Sequence, residues 1–268
     1  MTSPARTYLA FQHDAKLHTL PTKITSIIPF DTLPESNRQL YKSGTDQDHV
    51  LITPSTIFHP QGGGQPSDVG TISNSSAAFD VAAVRMDAVN DGQVLHFGRF
   101  KDHEHVFKAG DEVEQAIDVE KRLLYSRLHT AGHVLGAAVR SLLEKEVEGF
   151  DELKASHFPD SAACEFQGVI EGKWKEGIQK RVDEFLDADM PVEIGWWDEE
   201  DFRKRGLERL IPERKLEGGE NWRVVEIVGA EVYPCGGTHV DATKACGETK
   251  VKKISRSKGT SRVSYTVN

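Results

Sequence analysis

The residues in this chain best suited to chemistry are a histidine pair, a cysteine–histidine pair and a run of glycines. His129-Thr130-Ala131-Gly132-His133 places two imidazoles four residues apart. On a helix that spacing puts both rings on one face, one turn apart, where they can reach a single ion. With 11 histidines in 268 residues, roughly 0.4 such pairs arise by chance, so this pair alone is weak evidence. Cys235-Gly236-Gly237-Thr238-His239 is more telling. A thiolate and an imidazole separated by two glycines can fold back on one ion, and roughly 0.1 such pairs are expected by chance. The bland alternative is a glycine turn with Cys235 as a small buried hydrophobe. Together the pairs offer His129, His133, Cys235 and His239, a nitrogen–sulfur set suited to tetrahedral zinc.

The third segment is Phe58-His59-Pro60-Gln61-Gly62-Gly63-Gly64-Gln65-Pro66-Ser67-Asp68. Its glycines allow close backbone approach to a ligand and can present N–H groups to an anion or carbonyl. Gln65 offers a donor and an acceptor, and Asp68 an acceptor. The alternative is a flexible hairpin loop. Cys164 lies in an apolar run that reads as core, and Cys246 in a turn-like stretch. His59, His96 and the histidines between Lys101 and Val106 read as core or surface residues. Trp196-Trp197 reads as packing rather than a platform for bases.

Elements must position these groups. From Arg6 to about Val113 the runs are short and bounded by Pro, Gly, Asn and Asp, as in Lys23–Ile28 and Val81–Val84. Val94–Phe97 follows Asn90-Asp91-Gly92, a hairpin signal. Many short strands without a long helix predict a small β-barrel. From Asp118 to Glu148 there is no proline, and Leu124, Leu128, Ala131, Leu135, Ala138 and Leu142 form a helical stripe. Asp118 is the expected N-cap and Gly149 the expected stop. Beyond it the pattern predicts strands at Ala162–Phe166, Met190–Trp196, Trp222–Val228, Thr249–Ile254 and Arg262–Val267. It predicts helices at Lys173–Ala188 and Glu199–Gly206. Mixed elements without strict βαβ alternation predict an α+β fold, with a domain boundary near 115: residues 1–115, then 116–268.

The chain is acidic, with net charge -9, yet Thr249 to Asn268 holds Lys250, Lys252, Lys253, Arg256, Lys258 and Arg262 and no acid. Acids crowd instead between Asp183 and Glu217. The overall charge excludes a protein that coats nucleic acid non-specifically, but a polyanion responds to the local field. No stretch approaches the ~20 apolar residues of a membrane span. Met1 to Leu20 has no signal-peptide core, and three cysteines suggest a reducing compartment. A cytoplasmic chain with no membrane partner is the expectation.

The three motifs, in this order, resemble one family, the free-standing alanyl-tRNA editing proteins called AlaX. These are relatives of the editing domain of alanyl-tRNA synthetase and, more distantly, of the threonyl enzyme. Ser257-Lys258-Gly259 followed by Arg262 looks like the family's closing strand region. The Gly-Gly-Gly-Gln segment and the lack of a long C-terminal extension point to the medium-length type. The resemblance implies an N-terminal glycine-motif β-barrel followed by a two-layer α/β sandwich of the threonyl/alanyl editing type. It implies an ATP-independent hydrolase acting on Ser-tRNA(Ala), and on Gly-tRNA(Ala), to protect translation fidelity. Zinc would sit on His129, His133, Cys235 and His239. Gly62, Gly63, Gly64 and Gln65 would border the pocket, with Asp68, Thr130 and Thr238 beside them. Thr130 and Gln65 are the expected contacts to a substrate hydroxyl. Many synthetase editing domains carry Thr before the second histidine, where this chain has Gly132. Lys252, Lys253, Arg256, Lys258 and Arg262 would face the tRNA of a protein acting as a monomer. The residues alone leave two alternatives: a non-catalytic tRNA-binding module with a structural zinc, and a zinc hydrolase of a small-molecule ester.

Overall fold

The computed structural model describes residues 5–213 and 220–268; the last part of the acidic stretch ending at Glu217 lies outside them. The fold is mixed α/β, in two compact units. One comprises Met1–Gly62 with Pro66–Leu123, the other Gly63–Gln65 with Leu124–Asn268. No described helix is long and apolar enough to cross a membrane.

The first unit is built on a curled sheet of seven strands. They are β1 (Thr19–Lys23), β2 (Ser26–Pro29), β3 (His49–Ile52), β4 (Gly70–Ser73), β5 (Ala78–Met86), β6 (Val94–Phe100) and β7 (Glu112–Ile117). Their order is β1-β7-β4-β5-β6-β3-β2, every pair antiparallel. The run Lys23–Ile28, read from sequence as one strand, is divided. Ile24 N–H donates to the Asp111 carbonyl beside one edge, and Thr25 N–H to the Ile52 carbonyl beside the other. The chain itself therefore carries the sheet from one edge strand to the other.

Strand parity sorts the core of this unit. Along β6, Leu95 and Phe97 join one apolar cluster with Phe30 and Val50, while Val94 and Phe100 join another with Ile72 and Phe79. Successive side chains point to opposite faces, so both faces are covered. In β5 the parity changes: Val81 belongs with Phe79, but Ala83 sits in the other cluster and Val84 returns to the first. A register shift between Val81 and Ala83 is the cause, since one extra residue reverses every later side chain. The expected hairpin joins β5 to β6, with Gly92 at φ 77°.

The second unit carries helix α1 (Val119–Leu143), of which residues from Leu124 onward belong to it. The Asp118 carboxylate accepts from Lys121 N–H at 3.0 Å, the expected N-cap. The helix ends at Leu143 rather than Gly149. The polar run Glu144–Glu148 contributes no apolar stripe to hold a further turn, and Gly149 is a left-handed turn residue at φ 68°. A four-stranded antiparallel sheet follows, from β8 (Asp151–Ser156), β9 (Ala163–Gln167), β13 (Thr249–Ser257) and β14 (Thr260–Val267), in the order β8-β9-β14-β13. Helix α2 (Lys175–Asp187) lies between β9 and β10 (Val192–Trp197) in sequence; β10, β11 (Trp222–Ile227) and β12 (Glu231–Pro234) form a second sheet in that order. The short helix α3 (Glu199–Lys204) has a complete capping box from Asp198 and Asp201.

One core unites Leu128, Leu135 and Ala138 of α1 with Val182 of α2, Phe166 of β9 and Val263 of β14. A smaller one gathers Trp197, Phe202, Val224 and Val232. Trp197 is therefore packing, as expected, while Trp196 is exposed. Cys164 and Cys246 are both buried in the larger core. Lys258 and Gly259, both at positive φ, form the tight turn between β13 and β14.

Candidate metal centre

The helical histidine pair and the Cys-Gly-Gly-Thr-His segment meet inside the second unit. The ligand atoms of His129, His133, Cys235 and His239 all lie within 4.8 Å of one another. Cys235 Sγ is 3.4 Å from both His129 Nε2 and His239 Nε2. Zinc–sulfur and zinc–nitrogen bonds meeting at a tetrahedral angle put S and N about 3.6 Å apart, so this spacing is that of two edges of a metal polyhedron. Gly237 makes the approach possible. A Cβ there would stand 2.3 Å from the His129 ring.

Hydrogen bonds on the far side set which nitrogen faces inward. Gln65 Oε1 accepts from His129 Nδ1–H at 2.7 Å, leaving Nε2 for the centre. Thr130 Oγ1 donates to the Ser126 carbonyl at 2.9 Å, so it must accept from His239 Nδ1–H at 3.1 Å. It also accepts from Val240 N–H at 3.1 Å. His133 Nδ1 is buried with no hydrogen-bond partner, the one ring nitrogen of the set that only an additional group would satisfy. Burial holds His133 well below the ordinary imidazole value, and the neighbouring His157 and Arg223 push the same way. Burial raises the Cys235 thiol, while Gly237 N–H and the Arg223 guanidinium oppose it. Three imidazoles and one thiol, with ligand atoms converging within 4.8 Å, fit a thiophilic divalent cation such as zinc.

The glycine segment divides between the units. Gly63, Gly64 and Gln65 belong with the cluster. Gly64, at φ 79°, runs against β8: a Cβ there would stand 2.3 Å from the Ala155 carbonyl oxygen. Gln65 is fully buried, and its Oε1 also accepts from Thr238 N–H at 3.0 Å while its Nε2 donates to Thr238 Oγ1 at 2.9 Å. Thr238 Oγ1 is further bonded to Ser126 Oγ at 2.7 Å. Gln65, Thr130 and Thr238 thus brace the cluster through their own hydrogen bonds. Gly62 and Asp68 belong to the first unit. Asp68 finds its partners within that unit. Its carboxylate takes a multidentate ion pair from Arg122 and a 2.6 Å hydrogen bond from His59 N–H. Three donors in a dry environment satisfy it, which is a structural role.

A cleft of about 720 Å³ opens beside the cluster and is lined by Gly63, His129, His133, His157, Tyr233 and Cys235 among others. Its far wall holds Arg140, which pairs with Glu152 and Glu231, each at 3.0 Å. His157 and Tyr233 escaped the sequence reading. His157 follows β8, whose residues Asp-Glu-Leu-Lys-Ala-Ser carry too many charges to signal a strand. Tyr233 donates to the His133 carbonyl at 3.1 Å and packs its ring on that imidazole at 4.1 Å. Lys252, Lys253, Arg256 and Lys258 are all exposed, and a register shift between Val251 and Lys253 lets two consecutive lysines face solvent. Arg262 is half-buried, beside Glu165 at 3.9 Å and donating to the Ser161 carbonyl.

Sequence comparison supports the same reading. Residues 222–264, which include Cys235 and His239, match the threonyl and alanyl tRNA synthetase second additional domain. Residues 12–121 match the class II (A) tRNA synthetases. Among similar proteins, the alanyl-tRNA editing protein AlaX-L of Pyrococcus horikoshii is 30% identical over 87% of this chain and 55% of its own length. The alanine–tRNA ligase of Methanosphaera stadtmanae is 31% identical over 98% of this chain and 27% of its own. That of Rubrobacter xylanophilus is 31% identical over 85% and 24%. The chain thus spans about half the length of the editing protein and about a quarter of the ligases. It belongs to the family that unites the AlaX editing proteins with the matching region of the alanine–tRNA ligases.

Proposed function

We propose that this chain is an aminoacyl-tRNA deacylase that hydrolyses Ser-tRNA(Ala), and Gly-tRNA(Ala), in trans. The observation that carries the proposal is the convergence of His129, His133, Cys235 and His239 beside a cleft, in a chain similar to AlaX-L. The cleft volume suits a small ligand such as an aminoacyl group with its terminal nucleoside. The four residues would hold zinc, which when bound would supply a Lewis-acidic charge toward an ester carbonyl or a substrate amine. The protein's own part is orientation. Gln65 and Thr130 fix two imidazoles. An aminoacyl ester is already activated, so positioning a water beside it lowers the barrier usefully. The first unit reads as a barrel closed through Ile24 and Thr25, and the second as an α/β sandwich.

The exposed cations of β13 and its turn, Lys252, Lys253, Arg256 and Lys258, supply a local basic face for tRNA on an acidic protein working in the cytoplasm. Single-turnover hydrolysis of Ser-tRNA(Ala) beside Ala-tRNA(Ala) tests the function. Release of serine with alanine retained supports it. tRNA binding with no loss of serine at stoichiometric protein would make the chain a zinc-bearing binding module instead.

A further inference from the structure

His157 is fully inside the second unit and belongs to no ligand set. Its ring stacks on His129 with centroids 4.2 Å apart and planes 24° apart. Its backbone N–H donates to the Gly64 carbonyl at 2.8 Å. The Tyr265 hydroxyl donates its only proton to the Leu128 carbonyl at 2.8 Å. His157 Nδ1, 2.7 Å from that hydroxyl oxygen, must therefore carry the proton and donate. The ring is locked in one tautomer, and Nε2 is its remaining acceptor. The chain makes room for this ring. A Cβ on Gly132 would stand 2.4 Å from His157 Cε1 and 2.7 Å from Tyr265 Oη. No residue but glycine at 132 leaves the imidazole in place.

The polar groups expected to meet a substrate hydroxyl are occupied. The Thr130 hydroxyl has one proton and two acceptor sites, all engaged by Ser126, Val240 and His239. Gln65 Oε1 accepts from both His129 and Thr238. His157, by contrast, lines the cleft along with His129, His133 and Cys235. We infer that His157 is the specificity-determining residue of this site, its Nε2 accepting a hydrogen bond from the side-chain hydroxyl of a seryl ester. This rests on the deacylase reading above. An alanyl group would leave that nitrogen without the hydroxyl partner, which disfavours it. A glycyl group makes no such contact, so its hydrolysis should not depend on His157.

The test uses the full chain with His157→Ala and His157→Gln, checked for zinc content and melting temperature. Two readouts are taken: kcat/KM on Ser-tRNA(Ala) and Gly-tRNA(Ala), and calorimetric binding of the non-hydrolysable 3′-seryl-amide and 3′-glycyl-amide of adenosine. His157→Ala should lower serine release at least about tenfold and leave glycine release within about threefold. It should also remove the preference for the seryl amide. His157→Gln, which keeps an acceptor, should fall between it and wild type. Equal losses on both substrates, or an unchanged serine-to-glycine ratio, would overturn the assignment. The readouts separate two failures. A wild-type protein that hydrolyses neither ester but prefers the seryl amide through His157 would defeat the deacylase reading and keep the binding assignment. One that shows no preference between the amides would overturn the binding assignment itself.

Discussion

Both units bury polar side chains, but they arrange them in opposite ways. In the first, partners close on one another. Arg122 gives its donors to Asp68 and to the carbonyls of Ala15 and Ile57. His96 bridges Thr56 at 2.8 Å and the Leu51 carbonyl at 3.0 Å. Gln115 satisfies Ile57 N–H, Thr53 and the Ser55 carbonyl. In the second unit, Gln65 and Thr130 engage the outer nitrogens of His129 and His239, and the inner nitrogens converge with Cys235 on one point. A closed network stabilises a particular packing, whereas a braced, convergent one leaves a place for something else. Burial alone does not distinguish the two; the direction in which the candidate ligand atoms point does.

Breaking the closed network should cost most. Asp68→Ala strands a guanidinium that is 3% exposed, and a buried charge without its partner destabilises by about 3–5 kcal/mol. Chemical denaturation should report that loss. An unchanged midpoint would show the pair to be dispensable. The next effect is pH-dependent. Burial lowers His96 to about 4 from 6.5, with the Leu51 carbonyl opposing. Between those values the unfolded chain takes up a proton that the folded chain refuses. Stability therefore falls as the pH drops from about 6.5 to 4, by about 3 kcal/mol in all. Denaturation at stepped pH should show a shallower acid slope for His96→Gln than for wild type; identical slopes would contradict the assignment.

The convergent network should respond in metal affinity rather than in folding. Gln65→Ala removes the acceptor that orients His129, and loss of such a support typically weakens metal binding about 10–100-fold. Competition with a zinc chelator measures it, and unchanged affinity would mean that His129 needs no brace. The smallest effect belongs to the surface. Lys252→Glu with Lys258→Glu should weaken tRNA binding and flatten its salt dependence by a slope of roughly 2, leaving zinc content alone.

How legible each region was follows from the same contrast. The two ligand pairs could be read because each is local, four residues apart in the chain, and the helical stripe explains why the first pair shares a face. Asp118 and the Asn90-Asp91-Gly92 turn were legible for the same reason. Gln65 could be singled out, but not its role, which depends on contacts to His129 and Thr238, each more than sixty residues away. Asp68 could be singled out beside Gln65 in sequence, but not its partner Arg122, which lies 54 residues later. His157 was missed because its strand is polar and its partners, Gly132 and Tyr265, are distant in the chain. The end of the helix at Leu143 reflects where apolar packing stops, which a residue such as Gly149 does not announce.

The central claim is that His129, His133, Cys235 and His239 form one metal centre, and zinc content by elemental analysis tests it most directly. The wild-type chain, purified with zinc present, should carry about one zinc per chain, and Cys235→Ala should lose most of it while remaining folded. Full retention of zinc by Cys235→Ala, or no zinc in the wild-type protein, would contradict the account.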